Sequence, residues 1–264
     1  MYCFLVKQRM TEPSEDEVTK RCHAVLQSLE DGKPYNSNDV KVLCSSNIAS
    51  CNMRSPDNSP IGKLIDTIMQ KSNLKQCTVS AEKCALQPGE TVLEIGVGSH
   101  GYAMERLLKT KGLKKLVGIE ISDYLRHQIR KKFAKQIENK ELILCGEDCK
   151  NLKNIFPMDN SVDCILAINV VYFLHPLEEY LQEMYRVLKP QIGRILFSGK
   201  TNSRNYGLEN SSSIFQNIDF SQIAARCKDA GFQVELENVH IEENSIMNDF
   251  TLIKLYKAKN TYQL

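Results

Sequence analysis

Thr91-Val-Leu-Glu-Ile-Gly-Val-Gly-Ser-His-Gly101 is the stretch on which the fold turns. Its first five residues, TVLEI, follow the turn LQPGE and form a short apolar run, the pattern of a strand buried on both faces. The next six place glycine at 96, 98 and 101, where a strand bends sharply into a helix amino terminus. Backbone that must approach a ligand closely needs residues that tolerate unusual dihedrals and carry no Cβ. Downstream the pattern alternates. It predicts a helix from Tyr102 to Thr110, strand LVGIEI (116–121), a helix from Asp123 to Glu138, strands ELILC (141–145) and VDCILAI (162–168), a helix from Leu177 to Leu188, and strand RILFSG (194–199).

After a polar loop and a helix from Ser221 to Ala230, FQVELENV (232–239) and DFTLIKLYKA (249–258) lie close enough in sequence to pair antiparallel. Alternation of this kind implies βαβ units. The expected architecture is α/β: a Rossmann-like, doubly wound, mostly parallel seven-stranded sheet with an antiparallel C-terminal hairpin. Within it Gly96, Gly98 and Gly101 spell GxGxxG, a weak signal alone. Its context strengthens it: a strand before, a helix after, and an acidic residue, Glu120, at the end of the next strand. Together these make the arrangement that binds a nucleoside, with the carboxylate on the ribose hydroxyls.

Residues 61–264 are assigned to this domain and residues 1–60, polar and rich in turn formers, to an irregular N-terminal extension. Inside the extension Val18, Cys22, Val25 and Leu29 predict one amphipathic helix over Glu15–Leu29. Ile61, Leu64, Ile65, Ile68 and Met69 recur at the spacing of a half-buried helix, and a second short helix is predicted from Val79 to Ala85.

At 264 residues the chain suffices for one well-buried domain with an appendage. Hydrophobic residues at 42% and charged residues at 25% exclude a wholly disordered or fibrous chain. A formal net charge of +2 provides little global field for gripping nucleic acid or an anionic membrane, so neither is expected as a partner. The ten cysteines are scattered with no CxxC pair, so no metal site is expected and the thiols read as reduced, in a soluble cytoplasmic protein. The opening MYCFLV is shorter than a signal-peptide core, and no later run approaches a membrane span. Arg126, Arg130, Lys131, Lys132 and Lys135 interleave with Ile129 and Phe133, which reads as a solvated helix face. Oligomeric state has no signal in the sequence.

VLEIGVGSHG resembles the first motif of class I S-adenosylmethionine-dependent methyltransferases, in which an acidic residue, here Glu94, precedes the glycines by two positions. Further matches follow in the family's order: VGIEIS, then GEDCKNLKNIFPMDNSVDCILAINVVYFLHP, then EMYRVLKPQIGRILFSG, and in the tail KDAGFQVELENV. NVVYFLHPLEEYLQEMYRVLKP is similar to the branch called methyltransferase type 11. The resemblance implies S-adenosylmethionine as cofactor and methyl transfer to a small-molecule acceptor. It assigns Gly96 and Gly98 the close backbone approach, with Gly101 ending the loop, and Glu94 the cofactor's amino end. It assigns Glu120 the ribose with Ile121 beside it, Asp148 and Cys149 the adenine, and Asn169 and Val170 the closure of the pocket. Tyr172, Phe173 and His175 would wall the substrate, and Tyr172 and His175 are the candidates for proton handling.

The chain departs from the family at two places. His100 stands where a third glycine is usual, and the KPGG turn reads Lys189-Pro190-Gln191-Ile192-Gly193. His100 and the long polar N-terminus motivate a competing reading, a non-catalytic binding protein on a methyltransferase fold. Tyr185 and Lys189 also spell YxxxK, the pair of short-chain dehydrogenases, without the glycine loop that pair requires. Selection of the acceptor is expected in the N-terminal segment and the loop Asn202–Ser213.

Overall fold

The computed structural model describes residues 12–200, 213–243, 246–247 and 249–257. Strands β1 (Thr91–Ile95), β2 (Lys115–Ile119), β3 (Ile143–Cys145), β4 (Cys164–Ile168), β5 (Arg194–Lys200), β6 (Phe232–Val239) and β9 (Phe250–Lys257) form one sheet. A separate ribbon pairs β7 (Glu242–Glu243) with β8 (Ile246–Met247). The large sheet runs in the order β3-β2-β1-β4-β5-β9-β6. Its first five strands are parallel, and β9 lies antiparallel between β5 and β6. This is the expected Rossmann-like architecture with its C-terminal hairpin. Strand order reverses between β1 and β4, the switch point beyond whose carboxyl ends such sheets hold ligands.

Burial follows the pleat. Leu93, Ile95, Val117, Ile165 and Phe197 point into one core layer, while Val92, Leu116, Leu166 and Leu196 point into the other. The helices flanking these layers are α5 (Tyr102–Leu107), α6 (Asp123–Lys132), α7 (Ala134–Glu138), α8 (Leu177–Val187) and α9 (Phe220–Asp229). The single helix expected over Asp123–Glu138 is broken at Phe133, whose backbone leaves helical geometry (φ −107°, ψ 27°) while its ring is buried. Lys189, half of the YxxxK pair, acts structurally, since its Nζ donates to both carboxylate oxygens of Asp163 at 2.7 and 2.8 Å. Asp163 in turn accepts the N–H of Thr91 at the start of β1.

The N-terminal region corrects the expectation of irregular chain. Residues 15–54 form three helices, α1 (Glu15–Glu30), α2 (Ser37–Ser45) and α3 (Asn47–Arg54). Ser14, Asn36 and Ser46 cap them by accepting backbone N–H groups of the first turns. Val18, Cys22, Val25, Leu43 and Ala49 then bury themselves against Ile61 and Ile65 of the next helix. Short helices separated by polar caps give weak periodicity, and only the longest was legible. The two helices expected between Ile61 and Ala85 are one, α4 (Pro60–Lys83). No proline or glycine interrupts it after Gly62, so nothing stops its propagation.

Candidate functional site

Beyond Ile95 the chain turns on glycines with positive φ: 75° at Gly96, 68° at Gly98 and 52° at Gly101. A Cβ on Gly96 would strike Val170 Cγ2 at 2.5 Å, whereas one on Gly98 would project into open space. The bend is fastened to the end of β2. Gly98 N–H donates to Glu120 Oε2 at 3.0 Å, and Ser122 N–H donates to Oε1 at 3.0 Å. Arg126 Nη1 donates to the Glu120 carbonyl oxygen at 2.5 Å, and Lys132 Nζ donates to the His100 carbonyl oxygen at 2.7 Å. Arg126 and Lys132 of the basic run thus also hold the site's loops, while Arg130, Lys131, Lys132 and Lys135 stay exposed on the solvated face that was expected.

One cavity collects Glu94, Gly96, Gly98, Gly101, Glu120, Ile121, Asp148, Cys149, Asn169 and Val170. These are the ten residues the sequence assigned to the cofactor. Glu94 is 2% exposed, and its Oε2 has no hydrogen-bond partner among the described residues. Burial, and next the charge of Glu120, push the Glu94 carboxyl well above its usual range. Burial also raises Glu120, against the pull of its two backbone donors. Asp148 is anchored differently, accepting Tyr180 Oη–H at 3.1 Å and Lys150 N–H at 3.0 Å. Burial raises the Cys149 thiol to about 12, which leaves it protonated and inert as a nucleophile near neutral pH.

Asn169, at φ 56°, exchanges two hydrogen bonds with Gln76 of α4, at 3.2 and 3.0 Å. Gln76 also donates to Ser198 Oγ on β5, and so does Ser80. Nearer its start α4 presents Asp66, Gln70, Asn73 and Cys77 to the cavity, at a spacing that keeps them on one face. Asp66 accepts Ser99 Oγ–H at 2.7 Å and Gln70 Nε2–H at 2.9 Å. Met53, Arg54 and Pro56 add to the lining from the α3 end, and Pro56 O accepts Ser122 Oγ–H at 2.5 Å. The α4 face and this segment were missed by sequence reasoning. The signal of the α4 face was Asp66, Gln70 and Asn73 at helical spacing opposite the apolar stripe.

Neither proton-handling candidate reaches this cavity. Tyr172 is packed with Phe173, Phe215 and Phe220, and its hydroxyl donates to Lys200 O at 3.4 Å. His175 is exposed, immediately before a cis proline. The rings of the post-β4 turn meet residues of the segment before α9, so that turn packs Tyr172 inward while only Phe173 remains on the cavity wall. The imidazole of His100 lies against Tyr102, ring centroids 5.2 Å apart, with Nδ1 3.3 Å from Ser99 Oγ. The loop at 202–212, where acceptor selection was expected, lies outside the described residues. Among the described residues no group of three His, Cys, Asp or Glu side chains forms a metal site, and no helix is long and apolar enough to cross a membrane.

The family described as Methyltransferase domain matches residues 93–197. The chain is 26% identical over 166 residues to 24-methylenesterol C-methyltransferase 2 of Arabidopsis thaliana, covering 58% of this chain and 44% of that enzyme, less than half the relative's length. Among solved structures, the methyltransferase bound to the Trm112 methyltransferase activator of Haloferax volcanii is similar at a TM-score of 0.61 and 20% identity, over 74% of this chain and 94% of that one. Phosphoethanolamine N-methyltransferase 2 of Haemonchus contortus, in complex with S-adenosyl-L-methionine, is similar at a TM-score of 0.54 and 15% identity, over 85% of this chain and 58% of that one.

Proposed function

We propose, from the premise that residues 93–197 of this chain form a class I S-adenosylmethionine-dependent methyltransferase domain, that the protein transfers a methyl group to a small-molecule acceptor. The observation that carries the reading is the hydrogen bond from Gly98 N–H to Glu120, which fixes the glycine bend and the acidic end of β2 on one cavity. The residues present fit the cofactor. Gly98 leaves space that a Cβ would fill, and Glu94 brings a buried carboxylate oxygen without a partner among the described residues, suited to a cationic ligand.

In this reading Glu120 receives the ribose hydroxyls with the lone pairs that its two backbone donors leave free. Gly96, Gly98 and Gly101 let the backbone come close, Ile121, Asp148 and Cys149 bound the adenine, and Asn169 and Val170 close the pocket. The cofactor, when bound, supplies an electrophilic methyl group on a sulfonium. The chain's own contribution is to orient the acceptor and exclude water. Positioning of this kind lowers a barrier by about 7–11 kcal/mol. No side chain has to take a proton when the nucleophile arrives unprotonated, which agrees with Tyr172 and His175 standing off the cavity wall. α4 lines one side of the crevice.

Incubating the protein with methyl-labelled S-adenosylmethionine and fractionated metabolite extract tests the reading. The expected result is a labelled small molecule that appears only with protein present. Cofactor bound with no labelled product in any fraction would contradict transfer and leave a binding protein.

A further inference from the structure

We propose that Asp66 is a cofactor-binding residue whose carboxylate receives the α-ammonium of the amino-acid tail of S-adenosylmethionine. The inference rests on the cofactor reading above and extends it to a helix outside the matched segment. Asp66 sits on α4, is 4% exposed and still lines the cavity. Ser99 Oγ–H and Gln70 Nε2–H hold one carboxylate oxygen each, so the group is fixed against the residue that follows Gly98. Both donors are neutral. A carboxylate buried among neutral donors bears a desolvation cost that a cation relieves.

A second observation points to the same kind of ligand. Glu94, on β1, has a fully buried oxygen with no partner among the described residues and lines the same cavity. Asp66, Glu94, Glu120 and Asp148 stand in that lining against two basic side chains, Arg54 and His100. Three of the four, Asp66, Glu94 and Glu120, are buried, and burial raises each carboxyl, a cost that a positive ligand relieves. The sulfonium has no N–H or O–H to donate, whereas an ammonium has three donors in search of acceptors. Glu120 is assigned to the ribose and Asp148 to the adenine. Asp66, from α4, with the lone pairs that its two side-chain donors leave free, and Glu94, from the strand, offer buried carboxyl acceptors on two different elements.

Calorimetric titration of wild type and Asp66→Asn with three ligands tests the assignment: S-adenosylmethionine, S-adenosylhomocysteine and 5′-methylthioadenosine, which lacks the amino-acid tail. The substitution is expected to weaken the first two by about tenfold or more, the size of one charge-assisted hydrogen bond, and to leave the third unchanged. Equal weakening of all three would overturn the proposal, because a residue that only shapes the loop acts on every adenosyl ligand. No change in any of them would overturn it as well. Wild-type protein that binds none of the three would defeat the cofactor reading itself, a distinct result. Should the variant not fold, a crystal structure of wild type with S-adenosylhomocysteine decides. The ammonium nitrogen is expected about 3 Å from the Asp66 carboxylate, and a separation beyond about 4 Å contradicts the assignment.

Discussion

Glu94 shows how a single residue ties sequence pattern to energetics. Its place two positions before the first glycine was legible, but its missing partner was not, because the groups around it come from strands and helices distant in sequence. Burial raises its carboxyl in the folded protein above the unfolded value, so the native state holds a proton that the unfolded chain gives up. Stability is therefore lost as pH rises from the unfolded carboxylate value, about 4.3, toward the folded one. Glu94→Gln removes that loss. The ligand-free variant is expected to match wild type in acid and to gain on it as pH rises past that value. The gain should reach about 1–3 kcal/mol, the cost of a buried group left without a partner. Urea unfolding of both proteins across a pH series measures it, and a pH-independent difference would contradict the account. Tyr172 and His175 mark the opposite limit of residue-level reading. Both followed the fourth strand as substrate-wall residues should, yet a local turn sends one into an aromatic cluster and the other to solvent.

At the scale of elements, α4 connects most of the site. It touches the glycine bend through Asp66, the turn after β4 through Gln76, and β5 through Gln76 and Ser80. Its apolar stripe was readable because Ile61, Ile65 and their neighbours bury against α1 to α3. Its polar face was not, since polar residues at helical spacing look the same whether they meet water or a cavity. The partners that settle the matter are 33 residues away for Asp66 and 93 for Gln76, which no local window contains. Gln76→Leu leaves the Asn169 amide without its exchange partner and takes a donor from Ser198. The expected cost is about 1–3 kcal/mol in urea unfolding, the penalty for orphaned buried polar groups, together with weaker cofactor binding as Asn169 loses its hold. Unchanged stability and unchanged affinity would show that α4 does not position that turn.

The whole molecule separates a sheet that can be read from a cap that cannot. Each parallel strand announces itself as an apolar run bounded by turns, and parallel order follows from the helices between them. The two helices after α1 are short, begin at polar caps and bury few side chains each, so composition alone made residues 31–54 resemble irregular chain. Net charge was equally silent. A chain at +2 overall holds four acidic and two basic side chains on one cavity, a local excess that the net charge does not report. If Glu120 and the glycine bend form one adenosyl site, calorimetric titration of wild type and Glu120→Ala with S-adenosylmethionine should show saturable binding to wild type, weakened about tenfold to a hundredfold in the variant as the ribose loses a charged acceptor; no heat of binding to wild type at millimolar cofactor, or equal affinity of the two proteins, would rule that site out.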